Sequence, residues 1–129
     1  MATTTDRMLT LTSLIAVILL SLHVTDDVVR GLEKEAALNL VTVPILTFWL
    51  WVTLVLARPR WGYGILFLGG LFAAAMPVIH LRTMSGEFVA SGGGFFTIWL
   101  LIALGVTGLF SAILALRGLW AAVRMRGSA

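Results

Sequence analysis

A chain of 129 residues that is 60% hydrophobic and only 12% charged, with a mean hydropathy of +1.04, cannot cover a water-soluble domain, in which about a quarter of residues are charged. Its solvent is lipid, and its long, unalternating apolar runs indicate helices rather than barrel strands. The absence of cysteine removes disulfides, thiolate metal sites and iron–sulfur clusters. A net charge of +3 does not point to nucleic acid here, because the basic residues flank apolar segments.

The first predicted span runs from about Met8 to Val24, about 26 Å of helix and just enough for a bilayer core of about 30 Å. Arg7 before an apolar stretch resembles a signal peptide. No small-x-small cleavage site follows Leu20, however, so the segment is read as a retained span. The polar stretch Thr25 to Ala37 comes next. Its favoured reading is an interfacial helix that starts at Asp26 and Asp27, with Val28, Val29, Leu32 and Ala36 on the membrane and Glu33, Lys34 and Glu35 in water. In the alternative the first helix continues through it, putting His23, Asp26, Asp27 and Arg30 on one face at i, i+3, i+4 and i+7.

The second span covers about Leu38 to Ala57, with Pro44 inside it. Arg58-Pro59-Arg60 makes a tight connection to the third, Tyr63 to His80, which carries Pro77 and the small residues Gly69, Gly70, Ala73 and Ala74. A Gly/Ser-rich connection, Leu81 to Gly94, leads to the fourth span, Phe95 to Trp120, with Gly105, Gly108 and Ala112. The small residues are expected to pack the third span on the fourth, and the two prolines to distort their helices and free carbonyls. Trp49, Trp51 and Trp99 lie inside their spans, facing lipid or filling space between helices. The predicted fold is an all-α integral membrane protein, four helices in an up-down-up-down bundle forming one domain over 1–129.

Direction follows from charge. Arg7, Arg58, Arg60, Arg117, Arg124 and Arg126 fall on one side and Arg30, Lys34 and Arg82 on the other, with Asp6 the acidic residue on the arginine side. The positive-inside rule makes the arginine-rich side, and both termini, cytoplasmic in a bacterial-type inner membrane. The halves 1–61 and 62–129 also echo one another: each has a helix ending in His, then a loop, then a helix closing with Arg and Trp, at nearly equal His-to-Trp spacing. This is the pattern of two duplicated hairpins about a pseudo-twofold normal to the membrane.

Chemistry-bearing residues gather at the non-cytoplasmic pole. His23 and His80 belong to the first and third helices, diagonal in such a bundle, and are expected to face each other as candidate ligands of a b-type haem or a divalent metal, with Asp26 and Asp27 as further metal ligands. No acidic or basic residue lies mid-span, which excludes a proton-coupled exporter, and no catalytic triad, metalloprotease helix or phosphate loop is present. The function expected is a non-catalytic binding module or accessory subunit of a membrane complex, in contact with the lipid bilayer and assembling as a homo-oligomer or with partners. The alternatives are a haem or metal protein using His23 and His80, or a small-molecule or ion transport unit with a cavity beside Pro44 and Pro77.

Overall fold

The computed structural model of the chain describes residues 3–31, 36–55, 60–82, 86 and 92–124. Four helices account for nearly all of them: α1 (Thr4–Val29), α2 (Ala36–Val55), α3 (Arg60–Leu81) and α4 (Gly92–Arg124). The protein is an all-α bundle. Three helices, α1, α3 and α4, are long and apolar enough to cross a membrane, while the apolar part of α2, Leu40–Val55, is shorter. The 33 residues of α4 would extend about 50 Å, so this helix must tilt or project beyond the hydrocarbon.

Both ends of α1 have a local cause. Thr3 caps α1, its hydroxyl accepting from the Asp6 amide at 3.2 Å while the Asp6 carboxylate accepts from the Thr3 amide at 2.7 Å. At the other end α1 does not stop at Asp26. The helix expected to begin there does not start at Asp26; α1 runs unbroken through Asp26 and Asp27 and closes at Arg30 and Gly31, the latter at φ 66°. Gly31 takes the left-handed position that a Cβ would disfavour. Leu32, Glu33, Lys34 and Glu35 lie outside the described residues, as do Arg58, Glu87 and Arg126.

Side-chain contacts give the helix directions. His23 meets His80 and Asp6 meets Tyr63, so α1 and α3 run parallel. Thr12 meets Ser111 and Asp26 meets Thr97, so α4 is antiparallel to α1. Since α2 leaves the end of α1 and reaches the start of α3, it also runs antiparallel to both. Sequential helices are neighbours, α4 closes on α1, and α1 and α3 form the near diagonal.

The tightest packing is between α3 and α4. A Cβ on Gly70 would lie 2.7 Å from the Ala112 nitrogen, and one on Gly108 would lie 2.6 Å from Ala73 Cβ and 2.7 Å from the Ala74 nitrogen. The two backbones therefore touch, an approach that only small residues allow. Gly105 receives Pro77 and Gly118 receives the Tyr63 ring. Gly69 turns instead toward α2 and makes room for the Trp49 indole.

Leu9, Ala16, Leu20, Val52, Leu66, Ala73 and Leu104 form the buried core. Three polar side chains inside, Ser13, Trp49 and Thr53, satisfy one another. The Trp49 indole N–H donates to Ser13 Oγ at 3.0 Å, Ser13 and Thr53 hydroxyls meet at 2.8 Å, and Thr53 donates to the Trp49 carbonyl at 2.8 Å. If Ser13 donates to Thr53, every proton in this ring has an acceptor. The outside is apolar, with Leu40, Leu68, Phe95 and Trp99 each more than 60% exposed. In water such a surface would be a liability, whereas in lipid it is the expected exterior. The intraspan tryptophans divide accordingly: Trp49 is buried, and Trp51 and Trp99 face outward.

Candidate metal centre

The near diagonal of the bundle brings together three side chains that sequence spacing places on different turns and helices. The His23 and His80 rings meet edge to face with centroids 4.8 Å apart. Asp27, one turn beyond His23, sets Oδ2 3.5 Å from His23 Nε2. One ligand atom from each of His23, Asp27 and His80 lies within 4.8 Å of the other two.

Each group is positioned by its helix. His23 is buried on the inner face of α1, 2% exposed. Asp27 follows at i+4 on that face because α1 continues past the apolar run. His80 ends α3, and its Nδ1 lies 3.2 Å from the Met76 carbonyl. A proton on Nδ1 donated to that carbonyl puts the imidazole lone pair on Nε2, the usual way in which an outer hydrogen bond selects the ligating tautomer.

Adjacent carboxylates on a helix diverge by about 100°, and Asp26 and Asp27 are separated in this way. Asp26, grouped with the metal ligands by sequence spacing, points instead toward α4. It accepts from Thr97 Oγ1 at 2.6 Å and pairs with Arg30 Nε at 2.6 Å. The Arg30 guanidinium lies against Gly93, where a Cβ would collide with it. Asp26 thus ties α1 to the start of α4 and braces the helix that carries His23 and Asp27. Thr97 gives no sequence signal for this role, since an isolated hydroxyl in an apolar helix ordinarily bonds back to its own backbone, as Thr97 also does to the Gly93 carbonyl at 3.1 Å.

Donor type and spacing together select the ligand. Two imidazoles and one carboxylate suit divalent first-row transition ions, whereas calcium and magnesium prefer oxygen shells. Donors around a tetrahedral ion with metal–nitrogen bonds of about 2.0–2.1 Å lie about 3.3 Å apart, so modest side-chain rotation would close the cluster. A porphyrin is a poor fit, because imidazoles in edge contact leave no slot for its plane between them.

The other sequence-singled residues have structural surroundings. Gly70, Ala73, Ala74, Gly105, Gly108 and Ala112 are taken up by the α3–α4 contact. Pro77 fills the notch at Gly105, whereas Pro44 is exposed on the outer face of α2. A lateral cleft of about 220 Å³ opens elsewhere, between α1 and α4, lined by Leu19, Phe96, Trp99, Leu100 and Ala103.

The opposite pole holds a contact that sequence reading missed. Tyr63 donates its hydroxyl to Asp6 Oδ1 at 2.5 Å, joining α3 to the first turn of α1, while Arg60 donates to the Ala122 carbonyl near the end of α4. No known protein family, no curated protein and no solved structure matches the chain, so its chemistry is read from these contacts.

Proposed function

We propose that this multi-pass membrane protein is a binding module without catalysis of its own, which holds a divalent first-row transition-metal ion between His23, Asp27 and His80. The carrying observation is the convergence of three ligand atoms, from two helices, within 4.8 Å. Three protein donors leave coordination positions for water or for a ligand from outside, as suits a protein that receives an ion and passes it on. The accessory-subunit reading is weakened because the small-residue stripes that would meet a partner are used between α3 and α4.

Orientation belongs to the same proposal. Arg60, Arg117 and Arg124 lie at the pole opposite the histidines, and the positive-inside rule assigns that pole to the cytoplasm of a bacterial-type inner membrane. The metal cluster then faces outward.

The test is a titration of detergent-purified protein with cobalt(II), followed by its visible absorption and competed with zinc. One ion per chain is expected. His23→Ala, His80→Ala and Asp27→Asn should each weaken binding about tenfold or more, while Asp26→Asn should retain the ion. Undiminished binding in both histidine variants would end the proposal.

A further inference from the structure

Far from the histidines, the last turns of α4 carry Arg117, Trp120 and Arg124 at i, i+3 and i+7, one stripe of the helix. The backbones of the two arginines are about 10.5 Å apart along the axis. The Arg124 guanidinium folds back over the Trp120 ring, 3.7 Å from its centroid. Arg117 and Trp120 meanwhile line a single surface cleft with Leu116, of about 270 Å³.

Stacking occupies the face of the Arg124 guanidinium and leaves its in-plane N–H donors directed outward. Those donors and the Arg117 fork suit a phosphate, which accepts bidentate hydrogen bonds. The acid nearest this end of the bundle, Asp6, accepts from Tyr63 and from the Thr3 amide. The ion pair Arg30–Asp26 lies at the other pole. The cleft wall is almost wholly apolar: Leu116 and Trp120 are both more than half exposed. A free anion makes no use of that surface, and an acyl chain does.

We infer that the Arg117–Trp120–Arg124 stripe seats an anionic phospholipid. Its phosphate lies between the two guanidiniums, its glycerol edge rests on the indole, and an acyl chain runs past Leu116 along the exposed face of α4. Tryptophan is suited to that depth, being apolar in body with one polar edge. The site is independent of the metal cluster and stands or falls without it.

The full chain, released from bilayers of equimolar phosphatidylglycerol and phosphatidylcholine, is to be examined by native mass spectrometry. Wild type should retain phosphatidylglycerol in preference. Arg117→Gln and Arg124→Gln should each lower the ratio of retained lipids about fivefold, the value of one arginine near an anionic surface. Arg82→Gln, at the opposite pole, should leave the ratio unchanged. Equal retention of the two lipids by wild type overturns the site even if no variant folds, and an equal loss in Arg82→Gln reduces it to general charge attraction and overturns it too. Displacement of the lipid by millimolar inorganic phosphate would mean that the stripe takes a free anion, which likewise defeats the assignment.

Discussion

At residue scale, the interior of the bundle works through hydroxyls and an indole rather than charges. Ser13, Thr53 and Trp49 exchange three hydrogen bonds in an environment where no water competes. Such bonds in membrane proteins are worth about 0.6 kcal/mol on average and reach about 1.7, because the membrane-inserted unfolded state also finds partners. Ser13→Ala and Trp49→Phe should each destabilise the fold by about 1 kcal/mol, and the double variant should cost clearly less than the sum, since both remove the same bond. Unfolding in mixed micelles with increasing dodecyl sulfate measures this; strict additivity would mean that the indole and serine are not coupled. None of the network was legible in the sequence. Ser13 and Thr53 are 40 positions apart, and a lone hydroxyl in an apolar span reads the same whether it bonds across helices or back to its own turn. The histidine pair was legible, because one helix-end position recurs in the first and third spans. The division of labour between Asp26 and Asp27 was not, since it depends on which carboxylate the rotation of α1 aims at α4.

At the scale of elements, existence and order of the helices follow from apolar length alone, and their contacts follow from the small residues. Gly70 and Gly108 are where that argument can be tested. A Cβ at either would press on backbone atoms of the facing helix, whereas one at Gly64 meets nothing within 4 Å. Gly70→Ala and Gly108→Ala should therefore cost about 1–3 kcal/mol through forced separation of α3 and α4. Gly64→Ala should be neutral or slightly stabilising, because alanine is the better helix former. Equal effects at the three sites, in the same dodecyl sulfate unfolding measurement, would show that backbone approach does not hold this pair together. Boundaries were harder to read than elements. Two adjacent aspartates after an apolar run look like a new N-terminus, yet α1 continues through them, with Asp26 bonded to Thr97 on α4 and Asp27 set against His23 one turn back and close to His80 of α3.

At the scale of the whole molecule, the two poles differ in chemistry because the helices alternate. One pole collects His23, Asp26, Asp27 and His80, and the other Asp6, Arg60, Tyr63, Arg117 and Arg124, with a core of aliphatic and hydroxyl groups between them. The excess of arginine at the second pole favours its retention on the side where the chain is made. The chain contains no cysteine, so single substitutions can report this without background. Val29→Cys, at the end of α1, and Val123→Cys, near the end of α4, replace exposed residues at opposite poles. In intact bacterial cells, a membrane-impermeant maleimide should modify Val29→Cys at once and Val123→Cys only after the membrane is opened. The reverse pattern would place the histidine cluster on the cytoplasmic face, where it would meet the internal metal pool. Labelling of both without permeabilisation would contradict an arrangement in which α1 carries its end across the bilayer from that of α4. With the expected pattern, the ion proposed for His23, Asp27 and His80 would arrive from outside without crossing the apolar core, and its binding at the ends of α1 and α3 would clamp the near diagonal of the bundle.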